Sequence, residues 1–194
     1  MARPRDREKP SQIIDAAFSV FGEIGYGSTR ISHIAQRAGI SSGTIYTYFR
    51  DKKDLFRATA QDRWDRFLAQ IGALAESPGT TRERLASLIE IGFSSLKSAL
   101  PLLRGMLFES SQMNLLQGNL ERLYSLIERI LVEGREPGTR QPGPRPQDDT
   151  KQRRALIKIT VVGILFSVAL AEPSHVDREA RGLQRAIAQR FAEG

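Results

Sequence analysis

The segment 29–55 constrains the fold of this 194-residue chain more than any other, because a glycine separates two short stretches with helical apolar spacing. We expect Thr29 to cap the first helix and Gly39 to end it in the left-handed conformation. We expect Ser41 to cap the second helix, while Ile40 fills the corner between the two. The residues predicted to face a core are Ile31, Ile34, Ala35, Ala38, Ile45 and Phe49.

The opposite side of the second helix carries small or hydrogen-bonding side chains, which let a helix lie close to base edges and phosphates. We call Ser42, Gly43, Thr44, Tyr46, Thr47 and Tyr48 the recognition face. Asp51 is expected to cap a third helix, whose first turn would place Lys52 beside a phosphate. Packing alone also explains two crossing helices, a buried Tyr48 ring and a solvated Arg50. The candidate DNA-binding residues are Arg30, Ser32, Ser41, Ser42, Gly43, Thr44, Tyr46, Thr47, Tyr48 and Lys52.

Residues 10–56 resemble the DNA-binding domain of the TetR family of transcriptional regulators. The resemblance rests on IIDAAFSVFGEIGY before the turn and IAQRAGISSGTIYTYFRDKKDL through it. His33 departs from the family, which often has an acidic or basic residue there. The resemblance implies an all-α fold, with an N-terminal three-helix helix-turn-helix DNA-binding domain and a larger C-terminal helical ligand-binding and dimerisation domain. Before the turn, the residues at the family's positions are Ile14, Ala17, Phe21, Gly25 and Tyr26.

We therefore divide the chain into a DNA-binding domain, 1–52, with the helix-turn-helix at about 29–48, and a second domain, 53–194. The chain has a net charge of +7. Its first 53 residues contain nine basic and five acidic residues, and this excess of positive charge suits a surface that faces phosphates. The amino terminus alternates basic residues with Pro4, Asp6 and Glu8. This pattern predicts an unfolded basic arm that reaches an adjacent minor groove, or equally a solvated tail. The basic residues are Arg3, Arg5, Arg7 and Lys9.

The second domain is predicted to be helical throughout, apart from one mobile loop that is rich in proline and glycine. Pro101 is expected to end or kink a helix. The stretch 155–171 is apolar but shorter than the ~20 residues of a bilayer span, and we interpret it as a buried helix. The predicted helices cover about 51–75, 81–99, 102–112, 115–132, 151–171 and 176–192, and the loop covers 134–149.

The last two helices predict a homodimer. Nearly every position in 155–170 is apolar, so this helix has more apolar surface than one core contact covers, and a four-helix interface between two copies would bury the rest. Two DNA-binding domains, one from each copy and ~34–36 Å apart, would match successive major grooves of a palindromic operator. Closure of a monomeric core is the alternative. The candidate interface residues are Ile157, Val161, Ile164, Leu165, Val168, Leu183 and Ile187.

The resemblance implies a ligand cavity among the middle helices. Few polar groups are available there, so we expect an apolar, planar or acyl-bearing effector rather than a highly charged one. Ordinary core packing explains the same side chains. With no cysteine and only His33 and His175, no metal site or cofactor is predicted. The candidate lining residues are Trp64, Phe67, Phe93, Leu96, Met106, Phe108, Met113, Tyr124 and Phe166.

The sequence contains no nucleophile elbow, phosphate-binding loop or zinc-protease motif, so we do not expect an enzyme. The absence of cysteine and the charged, non-apolar start favour the cytoplasm. The predicted function is a ligand-responsive regulator, with repression the commoner outcome in the family, and a helical structural or protein-interaction role is the alternative. The helix after Asp51 joins both domains. A ligand that tilts this helix would change the distance between the two DNA-binding domains of the dimer and alter operator affinity about 5- to 150-fold.

Overall fold

All the regular structure in the described residues is helical, which confirms the all-α prediction. The computed structural model describes the backbone of residues 4–107, 113–133 and 147–170, with Arg178, Gly182 and Arg185 beyond them, and most of the corresponding side chains. The predicted helix 176–192 lies outside the described residues except for those three. The helices are α1 (Pro4–Ser28), α2 (Ile31–Ala38), α3 (Ser42–Tyr48), α4 (Lys52–Glu76), α5 (Thr81–Leu107), α6 (Met113–Glu133) and α7 (Gln147–Leu170).

The chain forms two compact units. The first comprises Met1–Arg66 and Ser98–Leu116, and the second comprises Phe67–Lys97 and Gln117–Gly194. Helices α4 and α5 therefore both run from one unit into the other. The first unit extends past the boundary at residue 52 that we drew from the sequence, and the functional division at that position stays a prediction.

The core of the first unit is built from α1, α2, α3 and the beginning of α4. Phe56 is buried in it, and its ring centroid lies 5.2 Å from that of Phe21 and 4.6 Å from that of Tyr26. Leu102 of α5 is buried in the same cluster. The predicted inward residues Ile31, Ile34, Ala35, Ile45 and Phe49 are buried there, and Ala38 and Ile40 pack against the cluster.

The turn between α2 and α3 follows the sequence prediction. Gly39 adopts φ 66° and ψ 33°, and its N–H bonds the carbonyls of the last turn of α2. The Ser41 hydroxyl accepts a hydrogen bond from the backbone N–H of Thr44 at 3.1 Å, as expected of an N-cap. Asp51 likewise accepts from the N–H of Asp54 at 2.7 Å and caps α4.

The prediction that Thr29 caps α2 is wrong. Arg30 holds the N-cap position, and Thr29 is buried with its hydroxyl donating to the Gly25 carbonyl at 2.6 Å. The reason lies in α1, which Gly25 interrupts with φ 76° and ψ 161°, a conformation open essentially to glycine alone. The carbonyls at the end of α1 need donors, and the Thr29 hydroxyl supplies one.

Three predicted boundaries are also corrected. Helix α1 begins at Pro4, so the predicted unfolded arm is helical from that residue; proline is favoured in a first helical turn. Pro101 neither ends α5 nor separates a helix 102–112, because α5 continues to Leu107. Burial of Leu100 and Leu102 on either side of Pro101 gains ~1.5–3 kcal/mol each, which offsets the ~3 kcal/mol cost of the proline. Helix α7 begins at Gln147, so 147–149 are not loop, and 134–146 lie outside the described residues.

In the second unit, ion pairs join α6 to α7. Lys158 donates to Glu121 at 2.7 Å, and Arg154 bonds Glu121 at 3.2 Å and Glu128 at 3.3 Å. These cations hold the pKa of the Glu121 carboxyl below its ordinary value, first through the Lys158 hydrogen bond. The pairs give α7 a defined inner side, on which Ile157 is buried.

One stretch of α5, Thr81–Leu102, has the length and composition of a membrane span among the described residues. Core helices of proteins that never enter a membrane meet the same criterion, and Leu96, Leu100 and Leu102 in this stretch are buried. We therefore attach no membrane function to it.

Candidate nucleic-acid interface

The recognition face of α3 lies on the surface of the first unit. Tyr46 is 55% exposed and Tyr48 is 38% exposed, while Ile45 on the opposite side of α3 is fully buried. Gly43 and Thr47 are exposed, and Ser42 and Thr44 are half-buried. Among the remaining candidates, Arg30, Ser32 and Ser41 are exposed. The structure thus places hydroxyl groups and one glycine on an accessible helix whose opposite side is anchored in the core.

The hydroxyl groups of this face are oriented by bonds within α3. Thr47 Oγ1 donates to the carbonyls of Thr44 at 2.7 Å and Gly43 at 3.2 Å. Ser41 Oγ and Thr44 Oγ1 lie 2.9 Å apart and share one hydrogen bond. A hydroxyl has two acceptor lone pairs as well as its donor, so each oxygen keeps capacity for a base edge or a water. The internal hydrogen bonds therefore orient these hydroxyl groups and leave them able to bond another molecule.

Gly43 is not required by the fold of α3. A Cβ built at this position would meet only the Ser41 hydroxyl, at the ordinary contact distance of 3.6 Å. Its lack of a side chain leaves the backbone of α3 open to close approach. This fits a helix surface that lies against another molecule such as a duplex.

His33, the position that departs from the family pattern, bonds the backbone. Its Nδ1 accepts a hydrogen bond from the Arg30 N–H at 3.3 Å, which supports the first turn of α2. The side chain is half-buried. This contact gives His33 a local structural role that the sequence prediction left open.

Lys52, the predicted phosphate contact, has its ammonium group close to backbone carbonyls in this structure. Its Nζ lies 2.9 Å from the carbonyl oxygen of Tyr26 and 2.9 Å from that of Thr29, and 4.5 Å from the centroid of the Tyr26 ring. The ammonium group is therefore hydrogen-bonded within the first unit.

Two carboxylates of the first unit accept hydrogen bonds from arginine residues. Arg37 forms a bidentate pair with Glu23, at 2.8 and 2.6 Å, which lowers the pKa of the Glu23 carboxyl chiefly through that hydrogen bond. The pKa of Asp54 is lowered mainly because its carboxylate accepts from the Arg50 N–H, at 3.1 Å. The Arg50 side chain itself is 80% exposed. Arg50 is thus an accessible cation beside α3 that was not among the candidates.

The predicted ligand-lining residues are mostly core or undescribed. Trp64, Leu96 and Tyr124 are buried, and Phe67 and Phe93 are half-buried. Desolvation raises the pKa of the Tyr124 hydroxyl. No group of acidic and histidine side chains suited to a metal ion occurs in the part of the chain that the structure describes. The side chains of Met106, Met113 and Phe166 and the whole of Phe108 lie outside the described residues.

Three of the predicted dimer residues have described side chains, and none of the three is exposed. Ile157 is buried within its own chain, and Val161 and Ile164 are half-buried. The exposed apolar residues are Leu156 at 60%, Ile159 at 70% and Val162. Because α7 is apolar around most of its circumference, periodicity alone could not distinguish these two sides. The side chains of Leu165 and Val168, and all of Leu183 and Ile187, lie outside the described residues.

Comparison with known proteins identifies the family. Residues 13–59 match the model of bacterial regulatory proteins of the tetR family. The chain is 32% identical over 142 residues to the fatty acid metabolism regulator protein of Bacillus subtilis (strain 168), covering 71% of this chain and 73% of that one. It is 33% identical over 141 residues to the transcriptional regulator BetI of Escherichia coli (strain K12), covering 70% of each.

Solved structures agree over nearly the whole chain. The crystal structure of the regulator FadR from Bacillus subtilis in complex with stearoyl-CoA superposes with a TM-score of 0.60 at 25% identity, covering 90% of this chain and 96% of that one. The exposed helix of the helix-turn-helix, the matched domain and these relatives lead to one conclusion. This chain belongs to the TetR family and is a DNA-binding, ligand-responsive transcriptional regulator.

Proposed function

We propose that this regulator is a cytoplasmic repressor that binds a palindromic operator as a homodimer, that a long-chain acyl-CoA or a similar acyl-bearing effector releases it, and that it catalyses no reaction. The observation that carries DNA binding is the recognition face, with exposed hydroxyl and tyrosine side chains above a buried Ile45. A helix presented in this way can enter a major groove and read base edges. Repression follows where the operator overlaps a promoter.

The exposed side of α7 supports the homodimer. Leu156, Ile159 and Val162 form an apolar strip at helical spacing. Pairing this strip with its copy in a second chain would remove it from water, at ~1.5–3 kcal/mol for each large side chain. We therefore assign the dimer face to these residues and no longer to Ile157, which its own chain buries.

The acyl-CoA class is supported by the fatty acid metabolism regulator and by the FadR complex with stearoyl-CoA. Its acyl chain agrees with the effector expected from the sequence, whereas its highly charged coenzyme A group does not. The second unit also contains a cation suited to an acidic group. Nε and Nη1 of Arg84 are buried and have no hydrogen-bond partner in the described part of the chain. Arg84 as a residue is half-buried, but donor nitrogens buried without a partner are costly, and an anionic group on the effector would relieve that cost.

Helix α4 supports a mechanical coupling between effector and operator. Its first part is bound to α1, because Arg63 and Arg66 both pair with Asp15. Its last part belongs to the second unit. A displacement of α4 by the effector would be carried into the first unit and would change the spacing of the two recognition helices. Effector-free and effector-bound protein must then differ in operator affinity by a coupling of ~1–3 kcal/mol.

The test begins with selection of duplexes from a random pool by the full-length protein. Enrichment of a palindromic sequence supports DNA recognition by a dimer, and no enrichment favours the alternative of a protein-interaction or structural role. Stearoyl-CoA is then titrated against the protein–operator complex in a gel-shift or anisotropy assay, with coenzyme A and stearate as controls. We expect release by stearoyl-CoA at lower concentration than by either control. Equal affinity of stearoyl-CoA for free and operator-bound protein would contradict the proposed release.

Arg84→Gln sharpens this test. We expect it to weaken stearoyl-CoA binding about tenfold, the equivalent of one charged hydrogen bond, with operator affinity unchanged. Arg82→Gln, at an exposed position on the same helix, is the matched control. If both variants weaken stearoyl-CoA binding equally, general charge rather than a specific contact is responsible.

A further inference from the structure

Arg50 lies between two parts of the chain that are placed to face a duplex. Tyr46 and Tyr48 of the recognition face precede it, and both rings are exposed. Lys52, the predicted phosphate contact, follows it by two positions. The Lys52 ammonium has two carbonyl oxygens at 2.9 Å and a weaker third at 3.5 Å, so one of its three N–H donors can still reach a phosphate. Because consecutive Cα atoms are ~3.8 Å apart, a duplex docked on α3 passes close to Arg50.

The backbone of Arg50 is held in place by bonds to the first turn of α4. Its N–H donates to Asp54 Oδ2 at 3.1 Å. Asp54 is fixed in turn, because its own N–H donates to Asp51 Oδ1 at 2.7 Å. Phe49, the residue before Arg50, is buried in the core of the first unit. Binding DNA through Arg50 therefore costs some ordering of its side chain but no rearrangement of its backbone.

The guanidinium group of Arg50, unlike its backbone, is only loosely held. Its side chain is 80% exposed, and its Nε lies 3.7 Å from Asp54 Oδ2, which is longer than a normal hydrogen bond. Both oxygens of Asp54 accept closer bonds, Oδ2 from the Arg50 N–H and Oδ1 from Arg57 at 2.8 Å. The planar fork of donors on Arg50 is therefore available to a phosphate, whose oxygens it fits in pairs.

Two neighbouring arginines show the contrast. Arg37 forms a bidentate pair with Glu23, at 2.8 and 2.6 Å. Arg57 donates to Asp54 at 2.8 Å. Each of these pairs would have to give up a charged hydrogen bond before its guanidinium could reach a phosphate, and such bonds are the stronger ones in proteins. Arg50 gives up no bond of that length.

We propose that Arg50 is a further DNA-binding residue, which contacts a phosphate of the operator at the carboxyl end of α3. The proposal rests on the DNA-binding function of the chain. A phosphate contact carries no sequence information, so its loss weakens binding to the operator and to an unrelated duplex alike. It also releases counterions, so losing one contact in each subunit of a dimer lowers the slope of log K against log salt by about 1.8. A solvated charge that does not touch DNA has neither effect.

The experiment compares wild type with Arg50→Gln on the operator selected above and on a scrambled duplex of equal length. Dissociation constants are measured from ~50 to ~200 mM salt. At the lowest salt we expect both duplexes to bind about tenfold or more weakly, as for loss of one charged hydrogen bond. The difference from wild type should narrow about twelvefold by the highest salt, which is what a slope change of about 1.8 requires. Because the side chain is exposed, the urea midpoint should stay at the wild-type value.

Two results would overturn the proposal directly. If Arg50→Gln kept the wild-type salt slope and the wild-type affinity for both duplexes, Arg50 would be an ordinary solvated charge. If it weakened the operator alone, Arg50 would read a base and not a phosphate. Failure of the wild type to enrich any duplex would instead overturn DNA binding itself, whereas a wild-type response from Arg50→Gln overturns only the role of Arg50.

Two further variants complete the design. Arg82→Gln makes the same chemical change at an exposed position of the second unit, and we expect it to leave both affinities and the slope at wild-type values. An equal loss from Arg82→Gln would assign the effect to net charge and overturn the contact. Arg50→Lys keeps the charge and loses the fork, so we expect a wild-type slope and a smaller loss of affinity than with glutamine. A loss as large as that of Arg50→Gln, with the same change of slope, would show that the charge is not what binds and would overturn the proposal.

Discussion

Helices α3 and α7 both present side chains to solvent that a second molecule would cover, but they are specified in different ways. Helix α3 has seven residues, with a serine cap, one fully buried isoleucine and a polar outer side. Helix α7 has 24 residues, and from Ala155 onward it carries apolar residues on both its inner and outer sides. The outer side of α3 can be identified from its own sequence, while that of α7 depends on where α6 lies.

The difference shows which sequence signals are reliable. A contrast between polar and apolar positions identifies a face, because only one side of such a helix can enter a core. A helix that is apolar all round contains no such contrast. In α7 the inner side is set by Arg154 and Lys158, which pair with Glu121 of α6, 33 and 37 positions away along the chain.

The largest expected effect is on dimerisation, when charges replace apolar residues on the outer side of α7. Leu156→Asp combined with Ile159→Asp should raise the dimer dissociation constant by at least ~100-fold, because two large apolar side chains contribute ~1.5–3 kcal/mol each. The chain should stay helical, since both residues are exposed in the single chain. Sedimentation velocity measures assembly, and circular dichroism measures helicity.

Two controls sharpen this test of α7. Ser125→Asp places a charge at an exposed position of α6 and should leave the dimer intact. Ile157→Asp, on the buried inner side, should instead destabilise the fold. A double variant that remains dimeric at micromolar concentration would show that this strip is not the interface.

Intermediate effects are expected at two glycines, one needed for stability and the other for operator binding. Gly39→Ala should lower the free energy of unfolding by about 1–2 kcal/mol, because φ is 66° there and a Cβ is strained in this region. Gly43→Ala should leave stability within about 0.5 kcal/mol and weaken operator binding, because the new methyl group would meet only Ser41 within the protein. Denaturant unfolding and operator titration measure the two quantities. If Gly43→Ala bound the operator as wild type does, α3 would not approach the duplex at this residue.

The smallest expected effect concerns the carboxylate that follows α3. Asp54→Ala should lower stability at pH 7 by about 1 kcal/mol, as for loss of a helix cap. The pKa of Asp54 is lowered in the folded protein by the Arg50 N–H. Its contribution is therefore complete above the ordinary aspartate pKa of ~3.9 and is lost as the pH falls through the lower folded-state value.

Urea unfolding at pH 7 and pH 3 checks this prediction. The difference between wild type and Asp54→Ala should shrink at the lower pH. Glu90→Ala, at an exposed position on α5, is the control and should change stability little at either pH. A difference that grew as the pH fell would contradict the assignment.

Much of the first unit could be predicted because its signals are local. Gly39, Ser41 and Asp51 act within four residues of themselves, and each forms the expected turn or cap. Thr29 was misassigned because its partner, the Gly25 carbonyl, is freed by a backbone break with no unique sequence signature. The carbonyl partners of Lys52 could not be predicted for a similar reason, since they lie 23–26 positions earlier in the chain.

The sequence by itself determined that this chain is helical, that residues 31–49 form a helix-turn-helix, and which side of α3 faces outward. It could do so because caps, turns and amphipathic spacing act through neighbours a few residues apart. Only the tertiary structure decided which side of α7 is exposed, that Pro101 lies inside a continuous helix, and where the Lys52 ammonium is bound. Those outcomes depend on contacts between residues far apart in the chain, which no local pattern records.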